Sequence, residues 1–137
     1  MFETIKIQEI LLFIGFGLGQ EIVITGLFYG RKDKMLMGYS SVWYVPIYAS
    51  APFVFELIFR YVDNFNFFIR GLIYGLIFLI LEFVYMGLLR LLLGRSPSED
   101  VYKKSKWNIL GLTRLDHYPL YVVSGLIFEW LYLFLRN

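Results

Sequence analysis

The sequence predicts an all-α integral membrane protein: a bundle of four transmembrane helices with a short interfacial helix in the third loop. Three observations predict it. Hydrophobic residues make up 58% of the 137 residues and aromatics 20%, with a mean hydropathy of +0.62. The apolar residues collect into four runs of about 20, the length at which a helix crosses the hydrocarbon core. The basic residues gather in two of the loops, which gives the chain a sidedness. A soluble domain of this size needs more polar surface to stay dispersed. Four spans are too few to close a barrel, so the spanning elements are helices.

The first span covers residues 10–29, interrupted by Gln20 and Glu21, and "RKDK" (31–34) ends it. The chain starts Met1-Phe2-Glu3, without a basic n-region, and the run passes Gln20 and Glu21 with no small-x-small site. No cleavable signal peptide is therefore expected. The second span, 42–61, contains Pro46, Pro52 and Glu56, and "RYVDNFN" forms a polar turn after it. The third span is 70–90 and the fourth 118–135, with a loop at 94–117 between them. In that loop "SPSE" reads as a helix start. Ser96 caps, Pro97 takes the first helical position and Glu99 closes a capping box. Lys103, Lys104 and Lys106 suit the helix end. Val101, Tyr102 and Trp107 suit contact with the lipid surface, although a solvated basic loop near anionic headgroups fits the same residues.

Nine of the 13 basic residues lie in the first and third loops: Arg31, Lys32, Lys34, Arg90, Arg95, Lys103, Lys104, Lys106 and Arg114. Lys6, Arg60, Arg70 and Arg136 fall on the other side. The positive-inside rule then places these loops in the cytoplasm and both termini outside. A bacterial inner membrane is the expected location.

Each span carries one carboxylate: Glu21, Glu56, Glu82 and Glu129. An ionised carboxylate at mid-bilayer costs about 3 kcal/mol on insertion scales. Such groups face the bundle interior, where they are neutralised, paired or hydrated. Helical spacing supports an inward placement. Gly71, Gly75, Phe78 and Glu82 share a stripe, as do Tyr118, Gly125, Glu129, Tyr132 and Arg136. Ala49, Pro52, Glu56 and Arg60 share another, and Gly17 lies one turn before Glu21. Small residues let helices approach closely. A second series, Gly15, Gly19, Gly26 and Gly30, lies on a different face of span one and would suit packing against another copy.

At about 1.5 Å per residue, Glu21 and Glu82 fall near the midplane, and Glu56 and Glu129 nearer the outer side. Arg60 is one turn from Glu56 and suits an ion pair. Arg136 is two turns from Glu129. Glu21 and Glu82 have no cation one turn away, which makes them the leading functional acids. A purely structural reading has the glutamates bonding across helices with Gln20, Tyr48, Tyr74 and Tyr85.

"LGLTRLDHYPLY" forms a second constellation at the membrane boundary. Arg114 suits a phosphate or headgroup, Asp116 suits orienting His117, and Pro119 opens the helix. An interfacial anchor belt explains the same residues.

Several classes are excluded. There is no cysteine, so no disulfide or thiolate site. There is a single histidine, and the net charge of +2 does not suggest nucleic acid. There is no phosphate loop, H-E-x-x-H or G-x-S-x-G. Nothing specifies a metal or cofactor.

The stretches "GYSSVWYVPIYA", "RGLIYGLIFLILEFVYMGLLR" and "WNILGLTRLDHYPLYVVSGLIFE" resemble a family of small bacterial membrane proteins described as ABC-transporter type IV permease-like (CmpB-type). They also resemble a related vertebrate transmembrane family of unknown function. The resemblance covers about Gly15 to Glu129 and rests on Pro46-Ile47-Tyr48, on Glu82-Phe83 followed by Gly87, and on Asn108 with Gly111 and Leu115. It implies the four-span topology, and a glutamate late in the first helix that matches Glu21. The bacterial pattern has Trp-Asp-Tyr where this chain has Asn108 after Trp107, so a role of that aspartate does not carry over.

The functional expectation is a transporter-type module or permease-like subunit that binds a cation, proton or small solute, working as a homodimer or with a partner membrane subunit. Its candidate residues are Glu21, Glu82, Glu129, Glu56, Gln20, Tyr48, Arg114 and His117. A membrane-embedded enzyme acting on a lipid or isoprenoid, with Arg114 and His117 on the headgroup, is one alternative. A non-catalytic accessory or assembly protein is the other.

Overall fold

A computed structural model describes residues 5–30 and 34–136. The Met1-Phe2-Glu3 start and the Arg31 and Lys32 charges of the first basic loop lie outside the described residues. The all-α class holds. Four helical segments are long and apolar enough to cross a membrane: Ile7–Phe28, Val42–Val62, Phe67–Leu93 and Leu115–Arg136.

Helix α1 spans Ile7–Tyr29. It begins three residues before the apolar run, with Glu9 in its first turn, where a negative charge suits the helix N-terminus. The second segment is broken, as its prolines require. A 3-10 turn at Val42–Tyr44 is capped by Ser41, whose hydroxyl oxygen accepts from the Trp43 amide at 3.2 Å. Helix α2 (Val45–Ala49) and helix α3 (Ala51–Val62) follow. Pro52 offers no N–H to the carbonyl of Tyr48, four residues back, which accounts for the interruption at Ser50.

Helix α4 (Phe67–Leu93) has 27 residues, about 40 Å of rise. Asn66 caps it by accepting from the Ile69 amide at 2.9 Å, and Gly94 ends it at φ +87°. Leu76, Ile80, Val84 and Leu88, at four-residue steps, are 51–61% exposed and form an apolar outer stripe.

The third loop holds more structure than its sequence suggests. Helix α5 is only Glu99–Tyr102, and Ser98, not Ser96, occupies the N-cap position. The capping box does not form, because the Glu99 carboxylate is drawn to Arg90 and Lys103. Strands β1 (Asn108–Ile109) and β2 (Thr113–Arg114) then form a small antiparallel hairpin. Its turn places Gly111 at φ +72°, and Asn108 Oδ1 accepts from the Gly111 amide at 2.7 Å. A 3-10 turn (Leu115–His117) leads into helix α6 (Tyr118–Arg136), with Pro119 in its first turn.

The chain divides into two compact units, Met1–Ile58 with Leu135–Asn137, and Phe59–Phe134. In the first, Phe13, Tyr48 and Phe55 form the core, and the Tyr48 ring lies flush on Gly17. The segment after α1 turns back along it. Gly26 and Gly30 receive the backbone of residues 36 and 37, and the Tyr39 amide donates to Thr25 Oγ1 at 2.8 Å. Gly26 and Gly30 are therefore used within the chain, whereas Gly15 and Gly19 face open space.

In the second unit α4 and α6 pack antiparallel through their glycines. Gly71 lies under Leu126 and Val122, Gly75 under Val122 and Tyr118, and Gly125 under Tyr74. Small residues on these stripes allow the helix backbones to approach closely.

Candidate functional site

The acids are turned inward in both units. Glu82 and Glu129 are 3% and 4% exposed. Glu82 bonds to Tyr121, Thr113 and Tyr102 and Glu129 to Arg70 and Tyr74, and about 12 Å of α4 separates Glu82 from the Tyr74 that serves Glu129.

Glu129, on α6, is held by α4. Arg70 Nε donates to Oε2 at 2.8 Å and Nη2 to Oε1 at 3.0 Å, a bidentate pair, and the Tyr74 hydroxyl adds a further bond. Arg70 also donates to the Phe65 carbonyl at 2.7 Å. Glu56 pairs with Arg136 at 3.2 Å, not with the neighbouring Arg60, which lies over the Tyr61 ring at 5.2 Å.

Glu82 is built differently. Its Oε1 accepts from Tyr121 at 2.6 Å and from Thr113 at 2.7 Å, and its Oε2 from Tyr102 at 3.1 Å. These hydroxyls come from α6, β2 and α5. No described residue forms an ion pair with it. Thr113 is fully buried and Tyr121 6% exposed. Glu82 lies about 16 Å from the end of α4, so the third loop folds back along the helix to reach it. Non-helical backbone beside a membrane-spanning helix is tolerated where protein satisfies it. The hairpin ladder does so here, together with Arg90, which donates to the Leu110 carbonyl.

The second constellation packs around this site. His117 sits edge-on to the rings of Tyr102 and Tyr121, at 5.6 Å and 6.0 Å. Phe78 covers Tyr121 from α4 at 4.7 Å. The Arg114 guanidinium lies 5.8 Å from the Tyr102 ring centre and pairs with Asp116, Nε to Oδ1 at 2.9 Å. Asp116 thus serves Arg114 and also accepts from Ser105 at 3.3 Å. A polar series runs from exposed Asp116, through Arg114 and Tyr102, to buried Glu82.

Glu21 has a comparable arrangement in the first unit. Ser40, on the returning segment, donates to its Oε2 at 2.6 Å. Gln20 is half-buried beside it in α1, and Tyr48 packs on Gly17 with its ring 6.5 Å from Tyr44. Each candidate midplane acid therefore accepts from a hydroxyl on the loop that follows its own span. Sequence reasoning missed Tyr102, Thr113 and Ser40 as parts of these sites. Their only signal is a hydroxyl in a loop adjoining an acid-bearing span.

Outside the spans, burial opposes ionisation of Glu99, but the Arg90 and Lys103 cations outweigh it and hold its carboxyl below the ordinary glutamate range. Arg90 Nε donates to it at 2.5 Å and Lys103 Nζ lies at 3.4 Å. The pairing anchors α5 to the end of α4.

No family model, curated protein or solved structure matches the chain.

Proposed function

We propose that this small membrane protein is a permease-like module in which Glu82 accepts and releases a proton or a small cation. One observation carries the reading: Glu82 is buried among three neutral hydroxyls with no ion-pair partner among the described residues, whereas Glu129 and Glu56 are held by guanidinium groups. A carboxyl group surrounded by hydroxyl groups can be satisfied in either protonation state, because a hydroxyl both donates and accepts. A carboxylate held by arginine loses its partner's compensation when protonated. The series Asp116–Arg114–Tyr102 supplies a route from the loop surface. With the basic loops in the cytoplasm, that route opens to the cytoplasmic side. A complete pathway calls for a second copy or a partner subunit, in keeping with the permease-like resemblance of the sequence.

The test is proton-linked flux in vesicles containing the purified protein and a pH-sensitive dye. Glu82→Gln should abolish the flux and Tyr102→Phe should slow it. Full flux in Glu82→Gln would refute the reading. A second reading has support of its own, since the three donors to Glu82 come from three elements. In that reading Glu82 is a clasp that holds the loop against α4. It predicts that Glu82→Gln, which keeps one acceptor oxygen, loses stability in proportion to bonds lost and leaves flux unchanged.

A further inference from the structure

The end of α4 and the loop that follows carry the basic excess of the chain. Residues 90–117 hold six basic and three acidic side chains, whereas the whole chain has a net charge of only +2. The three acids are engaged: Glu99 with Arg90 and Lys103, Asp100 with Arg95, and Asp116 with Arg114. Lys104 and Lys106 are exposed and pair with no acid among the described residues. Lys106 lies over the Trp107 ring at 5.5 Å. Of the three residues the sequence offers for lipid contact, Val101 and Tyr102 are half-buried, and only Trp107 is exposed. At the hairpin turn Leu110 is 67% exposed and sits at φ +55°, in the left-handed region that a bulky side chain disfavours. Arg90 donates to the Leu110 carbonyl, which sets this turn beside the last turn of α4.

We propose that residues 104–110 form a docking surface for anionic phospholipid headgroups, with Trp107 and Leu110 entering the interface and Lys104 and Lys106 meeting the phosphates. Within the chain, Leu110 finds little burial to offset its backbone conformation, and a bilayer interface supplies it. Indole rings settle at headgroup depth, and a lysine stem can lie along an apolar ring while its ammonium group stays in the polar layer. The two lysines complement acidic headgroups, each worth about fivefold in affinity near an anionic surface. A spanning helix ends in the headgroup layer, and Arg90 ties the hairpin turn to that end of α4. A soluble acidic protein offers the same charge but no apolar layer for Leu110, which favours the lipid. Glu82 is served by Tyr121, Thr113 and Tyr102, so the docking surface is independent of the role of that acid.

The experiment uses the full chain in phosphatidylcholine vesicles. Spin-labelled phosphatidylglycerol should associate with the protein about fivefold or more above spin-labelled phosphatidylcholine at low salt, and the preference should shrink as salt rises. Lys104→Gln combined with Lys106→Gln should lower that preference by about fivefold, and Arg60→Gln, outside this loop, by less. Equal association of the two lipids would overturn the proposal, as would a double variant that keeps the full preference. Insertion is read in a chain carrying Trp43→Phe and Trp130→Phe, where Trp107 is the remaining tryptophan. With phosphatidylglycerol added, brominated lipid should quench its emission and aqueous acrylamide should not. Leu110→Asn should weaken both effects while keeping the turn, because asparagine tolerates the left-handed conformation. A Trp107 open to acrylamide and untouched by brominated lipid would overturn the proposal and favour an acidic soluble partner. The lipid-preference measurement changes only exposed side chains, so it decides should the tryptophan variants fail to fold.

Discussion

Replacing Arg70 with alanine should be the most damaging single change to the α4–α6 pair. The guanidinium supplies two of the bonds to Glu129, at 2.8 Å and 3.0 Å, and its removal leaves a carboxylate that is 4% exposed with the Tyr74 hydroxyl as its remaining partner. Breaking a buried pair from one side costs about 3–5 kcal/mol. For a chain of this length that lowers the unfolding temperature by about 10 °C or more. Glu129→Gln should cost less, about 1–2 kcal/mol. The orphaned Arg70 keeps its bond to the Phe65 carbonyl, and its side chain is 19% exposed. The double variant should recover part of the Arg70→Ala loss, because no charge then remains buried alone. Thermal unfolding in nanodiscs, read by circular dichroism and tryptophan fluorescence, measures all three. A loss below about 1 kcal/mol for Arg70→Ala, or a double variant equal to the sum of the singles, would refute the reasoning.

Three further outcomes follow from the same geometry. Gly125→Ala places a methyl group on Tyr74 and should destabilise by about 2 kcal/mol, whereas Gly15→Ala, facing open space, should be neutral by the same unfolding assay. Thr113→Val and Tyr121→Phe each remove a donor to Glu82 and should each cost about 1–2 kcal/mol, with non-additive losses in the double variant. Glu99 has its carboxyl held low by Arg90 and Lys103, so its contribution is present above the ordinary value of 4.5 and is lost as pH falls through the lowered native value. Glu99→Gln should remove that component of acid sensitivity in a stability–pH profile.

The spans were legible in the sequence because run length is set by bilayer thickness, which acts on every residue of a span alike. Their ends were less so. Asn66 and Gly94 set the limits of α4 through caps, several residues beyond the apolar run read as 70–90. The inward direction of Glu82 and Glu129 was legible because Gly75 and Gly125 share their stripes. Their partners were not. Arg60 was the local choice for Glu56, but the cation that reaches it is Arg136, 80 residues away, and Glu129 takes Arg70 from 59 residues away. Spacing along one helix sees neighbours at three and four residues and is blind to tertiary approach. The β1–β2 hairpin was hidden by its brevity, since two-residue strands carry no alternation. Its cue is the Asn108–Gly111 turn, which the sequence presents only as isolated polar and flexible residues.

The proposed function requires Glu82 to exchange its proton while the fold around it stays in place. Infrared difference spectroscopy on the protein in oriented vesicles, recorded as a pH gradient is imposed, reads the carboxyl band of this residue. A band that appears and disappears with the gradient, and is absent from Glu82→Gln, is the predicted result. A band that stays constant across the gradient, in a protein whose helical signal is intact, would contradict it.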